Sequence, residues 1–124
     1  MKDIILASAS GIRLKILKDF GFTVVSVPAN IDEDEIKKSL AAEKFGSFEI
    51  SRALAETKAK KISSKYLDKL VLGADQVLDF GGRIFNKPKN SEDAFNLIKM
   101  LSGAKHSLFS SVCLSKNGSV VWMH

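Results

Sequence analysis

The chain has 124 residues, of which 45% are hydrophobic and 27% charged, a composition typical of a single globular domain with its own core. Its formal net charge of +5 comes from basic residues that are spread along the chain. The eight Phe, one Trp and one Tyr do not alternate with lysines, as they would on a surface that binds single-stranded nucleic acid. Both features argue against a nucleic-acid-binding protein. The single cysteine, Cys113, excludes an internal disulfide framework, and no apolar run approaches the roughly 20 residues of a membrane-spanning helix, so a cytoplasmic protein without membrane or nucleic-acid partners is expected.

The first feature along the chain is a strand-to-helix junction at residues 6–13. The apolar run before it predicts a short buried strand, and the pattern of residues 12–20 predicts a helix. Free backbone N–H groups and the positive end of the dipole at a helix start favour a phosphate, and Ser8, Ser10 and Arg13 could add donors. The alternative is that Ser10 only caps the helix, while Arg13 reaches water or pairs with a structural carboxylate.

The helical wheel places Arg13 on the apolar side of this helix. Ile12, Ile16, Leu17 and Phe20 form the apolar arc, through which the helix is expected to pack. A charge on that side needs a partner, because burying an unpaired charge is costly.

Strands and helices alternate along the rest of the chain and predict a mixed α/β domain. The predicted strands are 22–27, 70–78, 83–85, 107–114 and 120–122, and the predicted helices are 32–44, 47–63 and 91–101. Hairpin turns are predicted at Gly81-Gly82 and Asn117-Gly118. Because the chain stops inside the last predicted strand, we expect one domain over residues 1–124 that is truncated at its C-terminus.

Two charged residues occupy otherwise apolar positions. Lys58 shares a spacing of four with Ile50, Leu54 and Ile62, so it either extends past the core edge to water or meets an anion. Asp75 lies within a run that predicts a buried strand, where aspartate is unfavourable. It either serves a ligand or metal, or is a structural aspartate bonded to backbone N–H groups or to a buried lysine.

These residues form a set with the chemistry that phosphates require. The set comprises the cations Arg13, Lys58 and Lys87, the carboxylates Glu33 and Asp75, and the hydroxyls Ser8 and Ser10. Cations neutralise a polyphosphate, and carboxylates can bind a divalent metal or accept a proton from water. Lys87, next to Pro88 in a predicted loop, has the alternative of being an ordinary solvated lysine.

Several ordered motifs resemble those of the Maf-like nucleoside triphosphate pyrophosphatases. They are Leu6-Ala-Ser-Ala-Ser-Gly-Ile-Arg13, Ile31-Asp-Glu33, Leu54-Ala-Glu-Thr-Lys-Ala59, Gly73-Ala-Asp-Gln76, Asn86-Lys-Pro88 and Leu101-Ser-Gly-Ala-Lys-His106. The resemblance implies a cytoplasmic enzyme that uses Mg²⁺ or Mn²⁺ to cut a nucleoside triphosphate between its α and β phosphates. It also implies a Maf- and ITPase-like α/β fold, with an elongated, twisted mixed sheet flanked by helices, and allows a homodimer.

The resemblance assigns roles to the matching positions. Asp75 would be the catalytic proton acceptor, and Glu33 would hold the metal together with Asp75. The triphosphate would be bound by the remaining polar members of the set, which are Ser8, Ser10, Arg13, Lys58 and Lys87.

Two positions linked to base choice depart from the usual family pattern. The family usually has Ser-Pro-Arg-Arg where this chain has Ser10-Gly11-Ile12-Arg13, so Ile12 replaces the first arginine. Gln76 resembles the branch that acts on 7-methyl-GTP, but that branch tends to carry an aromatic residue at the position of Ile12. An aliphatic side chain cannot stack on a cationic base in the same way, so the preferred base stays open.

A second hypothesis is a nucleotide-binding regulatory module of septum formation and cell division that lacks turnover. The expected truncation and the family's association with septum formation motivate it. Nucleotide-dependent thermal stabilisation without diphosphate release would distinguish it from the enzyme.

Overall fold

A computed structural model of the chain describes residues 3–80, 83–85, 90–92, 95–96 and 107–124. Strands in this part of the chain run over Asp3–Leu6 (β1), Thr23–Ser26 (β2), Leu70–Phe80 (β3), Arg83–Phe85 (β4), Ser107–Lys116 (β5) and Ser119–Met123 (β6). Helices run over Gly11–Asp19 (α1), Glu33–Ala42 (α2) and Ser47–Lys65 (α3). These bounds agree closely with the elements predicted from the sequence.

The described strands form one mixed sheet flanked by helices, as predicted. The strand order is β2-β1-β3-β5-β6, and β4 pairs with β3 beside this path. β1 is parallel to both of its neighbours, whereas β3, β5 and β6 form an antiparallel group. The sheet therefore joins a parallel unit with helical connections to an antiparallel meander.

The register between β1 and β3 determines what surrounds the turn after β1. Leu6 pairs with Leu72, and the N–H of Ala7 donates to the Leu72 carbonyl at 2.9 Å. β1 ends there, while β3 continues for several residues. The turn at residues 7–10 consequently lies beside residues 73–75 of β3.

Helix α3 covers one face of the sheet and forms the core with it. Alternate residues of β3, from Val71 to Val77, are buried, as expected where one face of a strand meets a helix. The two buried clusters contain Ala7, Ala29, Ala55, Ala59, Ile62, Val71 and Cys113, and Ile50, Leu54 and Val77. Cys113 is fully buried, in agreement with its position in an apolar run.

Small residues bring α3 unusually close to β3. A Cβ built on Gly73 would lie 2.3 Å from the Ala55 carbonyl oxygen and 2.8 Å from the Ala59 nitrogen. Only glycine at this position permits that approach, because any side chain would overlap the helix backbone.

Side-chain caps begin the first two helices. The Ser10 hydroxyl accepts from the N–H of Arg13 at 3.3 Å, and the Asp32 carboxylate accepts from the N–H of Glu35 at 3.0 Å. Acidic residues occupy the first turn of α2, as predicted, where the helix dipole favours negative charge.

The expectation that α1 packs through its apolar arc holds only for Leu17, which is half-buried. No residue of α1 is buried, and Ile12, Ile16 and Phe20 are 76%, 50% and 80% exposed. The periodicity correctly predicts the helix, but periodicity cannot show whether anything covers the apolar side.

Some predictions fall outside the described residues. They are the turn at Gly81-Gly82, the loop with Lys87 and most of the predicted helix at 91–101. Within the described ranges, no helix has the length and apolar character needed to cross a membrane.

We predict that Gly73→Ala destabilises the protein by about 1–3 kcal/mol or more, because the added methyl group overlaps the backbone of α3. Urea unfolding followed by circular dichroism measures the change. Gly11→Ala is the matched control, since nothing lies within 4 Å of a Cβ added there, and stability should hold or rise by up to about 1 kcal/mol. Equal stabilities for both variants would contradict the close approach.

Candidate functional site

The ammonium group of Lys58 is the centre of a buried polar cluster. Its Nζ lies 3.1 Å from Asp75 Oδ1 and 3.1 Å from Glu33 Oε1, and it donates to the Ala74 carbonyl at 3.2 Å. Each of the three ammonium hydrogens can therefore have an acceptor. Of the two alternatives raised by its helical position, Lys58 meets anions and does not extend to water.

Asp75 is the most deeply buried carboxylate of the cluster, only 4% exposed. Burial raises the pKa of Asp75, and the Glu33 charge adds to this, while the charge and hydrogen bond of Lys58 oppose it. Asp75 Oδ2 is buried and has no hydrogen-bond partner in the structure as described. Asp75 thus combines a preference for a proton with an oxygen available to receive one.

Glu33, in the first turn of α2, is less buried and has the opposite shift. Burial acts to raise the pKa of Glu33, but the charge and hydrogen bond of Lys58 and the charge of Lys37 outweigh it, so the pKa is lowered. One lysine therefore holds two carboxylates whose pKa values are displaced in opposite directions.

The turn after β1 is held to the same cluster by Arg13. A guanidinium nitrogen of Arg13 donates to Ser8 Oγ and to the Ala74 carbonyl, both at 3.3 Å. The N–H of Ser10 donates to Ser8 Oγ at 3.0 Å, and the Ser26 hydroxyl donates to the Ser8 carbonyl. Ser10 caps the helix as the simpler interpretation predicted, and the partners of Arg13 are a hydroxyl and a carbonyl, not a structural carboxylate.

The Ala74 carbonyl is a part of the site that sequence reasoning missed. Carbonyls two residues apart on a strand point to the same edge, so Ala74 points to the side on which Leu72 receives the N–H of Ala7. Because β1 has ended, no strand among the described residues pairs with this carbonyl, and Arg13 and Lys58 both donate to it. A short strand beside a long one is the signal that could have revealed it.

A polar cleft of about 400 Å³ opens in front of these groups. Its predicted site residues are Ser8, Ser10, Arg13, Glu33 and Lys58. Asp75 does not line this cleft; it pairs with Lys58, which does, and it lines a second pocket that Arg13 also borders. The structure therefore brings together six of the residues singled out in the sequence. Lys87 lies outside the described residues.

The loop at residues 28–31 forms another wall of the cleft and was not predicted to do so. Lys61 anchors this loop by donating to the Asn30 carbonyl at 2.9 Å. Asn30 has a φ of 53°, a left-handed conformation that asparagine tolerates better than most residues. Pro28 followed by Asn30 is the turn signal in the sequence.

The two predicted specificity residues lie apart from this cleft. Ile12 is exposed on the first turn of α1, and Gln76 is exposed on the sheet face opposite α3. Gln76 shares a second pocket with Arg13.

The two carboxylates of the cluster suit a metal ion that takes most of its ligands from substrate phosphates and water. Within the described ranges, no group of three or more His, Cys, Asp or Glu side chains could hold a metal ion. Glu33 and Asp75 supply two carboxylates, one of which keeps an unpartnered oxygen. Mg²⁺ is commonly bound by one or two carboxylates together with substrate phosphates and water, and this donor set fits that arrangement.

Comparison with known sequences identifies relatives over almost the whole chain. The sequence profile of the family described as Maf-like protein matches residues 3–123. A nucleoside triphosphate pyrophosphatase of Pelagibacter ubique is 48% identical over 122 residues, 98% of this chain and 63% of the relative. A 7-methyl-GTP pyrophosphatase of Rhizobium meliloti is 38% identical over 121 residues, 98% of this chain and 61% of the relative. The chain thus spans about three fifths of the length of these relatives.

Comparison with solved structures supports the predicted fold. The Ham1 protein of Staphylococcus aureus matches with a TM-score of 0.56 at 17% identity, covering 99% of this chain and 67% of that one. A HAM1 protein of Coxiella burnetii matches with a TM-score of 0.53 at 19% identity, covering 100% of this chain and 68% of that one. At such identities the likeness concerns the fold alone.

We predict that Lys58→Met destabilises the protein by about 3–5 kcal/mol near neutral pH, because it leaves two neighbouring carboxylates without their cation. Removing the ammonium raises the pKa of both carboxyl groups, so the folded variant binds more protons than the folded wild type. Its stability deficit should therefore shrink as the pH falls from 7.5 to 5. Urea unfolding at both pH values measures it.

Lys60→Met is the matched control on the same helix, because Lys60 is exposed. Its effect should stay within about 0.5 kcal/mol at both pH values. A Lys58→Met deficit that does not change with pH would contradict the role assigned to the two carboxylates.

Proposed function

The chain belongs to the Maf-like protein family, and on this premise we propose that the protein is a nucleoside triphosphate pyrophosphatase. It would hydrolyse the bond between the α and β phosphates and release a nucleoside monophosphate and diphosphate. The names of the relatives from Pelagibacter ubique and Rhizobium meliloti support the reaction class.

The observation that carries the proposal is the composition of the cleft. Arg13 and Lys58 place two cations on it, and Ser8 and Ser10 add hydroxyls at the start of α1. Cations, hydroxyls and a helix start are the groups that bind phosphate oxygens. A cleft with these walls and a buried carboxylate behind Lys58 favours phosphate hydrolysis over binding alone.

Asp75 is the proposed proton acceptor. A general base works best when its pKa lies close to the operating pH, and burial moves the pKa of Asp75 upward in that direction. Oδ1 is held by Lys58, and Oδ2 is left to take the proton of an attacking water. The hydroxide equivalent then attacks the α-phosphorus, and the bond from this phosphorus to the oxygen that bridges it to the β-phosphorus breaks. The diphosphate leaves with that oxygen, and the nucleoside monophosphate remains.

Arg13 and Lys58 would bind the phosphate oxygens throughout the reaction. Charge builds on the leaving diphosphate as the bond breaks, and fixed cations stabilise that charge without rearrangement. The bond from Arg13 to Ala74 and the ion pair from Lys58 to Asp75 hold both cations in position before substrate arrives. Lys87, which the family resemblance assigns to the triphosphate, belongs to the same proposal.

The proposed cofactor is Mg²⁺ or Mn²⁺, held by Glu33 and Asp75 together with the substrate phosphates. When bound, the metal would neutralise part of the triphosphate charge. Because the pKa of Glu33 is lowered, its carboxylate stays ionised and can act as a metal ligand.

We also propose that the protein is located in the cytoplasm, the compartment in which nucleoside triphosphates are produced and used. A homodimer is the proposed assembly, and light scattering of the purified protein measures it directly.

We predict that Asp75→Asn lowers the rate of diphosphate release by about 10²–10⁴-fold, because the amide cannot accept the proton. Stability near neutral pH should hold or rise, since burial already disfavours the charged form of Asp75. Inorganic pyrophosphatase coupled to phosphate detection measures the rate, and thermal unfolding measures the stability.

Asp19→Asn is the matched control for this substitution. Asp19 pairs with Lys15 at an exposed position of α1, where an ion pair contributes little. The control should retain the wild-type rate. Orthophosphate released without the coupling enzyme would contradict the choice of bond.

A nucleotide-binding regulatory module of septum formation and cell division without turnover is the second candidate, because the cations and hydroxyls of the cleft would bind phosphate even if no bond were cut. It predicts a rise in melting temperature with nucleotide and no diphosphate from any triphosphate.

A further inference from the structure

The turn between β5 and β6 has a sequence that is chemically reactive as well as structurally favourable. Lys116 and Ser119 are partners across the hairpin, so Asn117 and Gly118 form a two-residue turn. Their φ angles of 53° and 80° have the positive sign that a type I′ hairpin turn requires. Because glycine has no Cβ, the backbone nitrogen of Gly118 is not shielded by its own side chain from the amide of Asn117.

Hydrogen bonds tie both reactive groups of this turn to neighbouring elements. The side-chain oxygen of Asn117 accepts from the backbone N–H of Asp68 at 2.8 Å, and Nδ2 donates to the Asp68 carboxylate at 3.3 Å. The N–H of Gly118 donates to Ser63 Oγ at 3.0 Å. Ser63 is fully buried near the end of α3, and Asp68 lies between α3 and β3. We call these three hydrogen bonds the hairpin clasp.

We propose that Asn117 is a site of spontaneous deamidation and that the hairpin clasp controls its rate. In this reaction the Gly118 nitrogen attacks Asn117 Cγ and loses its proton, a five-membered succinimide closes, and the side-chain nitrogen leaves as ammonia. Water, the only co-reactant, then opens the succinimide at one of its two carbonyls and gives aspartate or isoaspartate. This inference does not depend on the proposed function.

The clasp holds both groups in positions from which they cannot react. The Gly118 N–H must give up its bond to a buried hydroxyl before the nitrogen can attack. The Asn117 amide must also turn away from Asp68 to bring Cγ to that nitrogen. Deamidation therefore requires local opening of the hairpin, and its rate should follow the population of the open form.

Deamidation would in turn prevent the clasp from forming again. The new carboxylate places an oxygen where Nδ2 lies 3.3 Å from an Asp68 oxygen, so repulsion between like charges replaces a hydrogen bond. Isoaspartate also adds a backbone carbon to a turn whose pairing of Lys116 with Ser119 has room for two residues. A transient opening of the hairpin is thereby converted into a lasting change.

The first experiment measures how fast Asn117 deamidates. Wild type and Ser63→Ala are incubated near neutral pH at physiological temperature, and peptide mass spectrometry quantifies aspartate and isoaspartate at position 117 over time. Ser63→Ala removes the acceptor of the Gly118 N–H, so deamidation should be about three- to tenfold faster. Asn30 is an internal control that should react more slowly in the same samples, because the side chain of Ile31 hinders attack.

Two comparisons make this result specific. Ser64→Ala makes the same chemical change on the neighbouring residue, where the hydroxyl donates to the Lys60 carbonyl within α3, and it should keep the wild-type rate. Wild type unfolded in urea has no clasp, and its Asn117 should deamidate at least about tenfold faster than in the folded protein.

The second experiment measures what the product does to the clasp. Asn117→Asp reproduces one of the two products and should lower the melting temperature by about 2–5 °C. Asp68→Asn combined with Asn117→Asp exchanges the amide and the carboxylate, so that a donor again faces an acceptor. The double substitution should recover most of the lost melting temperature.

Each result decides one part of the proposal. Deamidation of Ser63→Ala at the wild-type rate, or of the folded wild type at the rate of the unfolded chain, would overturn control by the clasp. The comparison in urea needs no variant, so it decides this point even where Ser63→Ala does not fold. A double substitution that recovers none of the melting temperature would overturn the effect assigned to the new carboxylate.

Discussion

The folded state must satisfy one buried ammonium group, and much of the structure follows from that requirement. Desolvating a charge costs several kcal/mol unless partners with good geometry replace the water. Lys58 receives these partners from two directions, with Glu33 at the start of α2 and Ala74 and Asp75 on β3. The ion pairs therefore connect α2, α3 and β3 at the position where the cleft opens. Groups that would perform the chemistry also hold the surrounding elements together.

The ion pairs depend in turn on the absence of a side chain at Gly73. Ala55 and Ala59 contact this position from α3, and their small side chains let the helix rest on the strand. Lys58 precedes Ala59 and so reaches the next two residues of β3 without leaving the core. Ala55, Ala59 and Gly73 thus have a structural role in the site. They let α3 approach β3 closely enough for the charged side chains to form their ion pair.

The sequence predicts the elements well because their periodicity and caps are local properties. It also marks Lys58 and Asp75 as anomalous, since each interrupts an apolar pattern. A buried lysine was one of the alternative partners for Asp75, but the sequence could not identify Lys58 as that partner, because their separation along the chain gives no information about register. The residue type does not mark the Ala74 carbonyl, since every residue has a carbonyl. Only the predicted lengths of β1 and β3 point to its role, which arises where β1 ends and β3 continues. Ile12 shows the reverse case, in which a sequence pattern predicts a contact that the structure lacks. An apolar arc on a helix indicates that the arc could be buried, but it does not show that another element covers it.

The exposure of α1 has a consequence for how the entrance of the site behaves. An element without buried residues can unfold locally at a small cost, independently of the rest of the domain. The bond of Arg13 to the Ala74 carbonyl connects its first turn to the sheet, and the bond to Ser8 connects it to the turn after β1. An anion that binds to the folded form of this turn would stabilise that form by its free energy of binding. The entrance of the cleft would therefore become more ordered when the anion binds. Amide hydrogen exchange would then slow in α1 upon binding, while the protected core under α3 would not change.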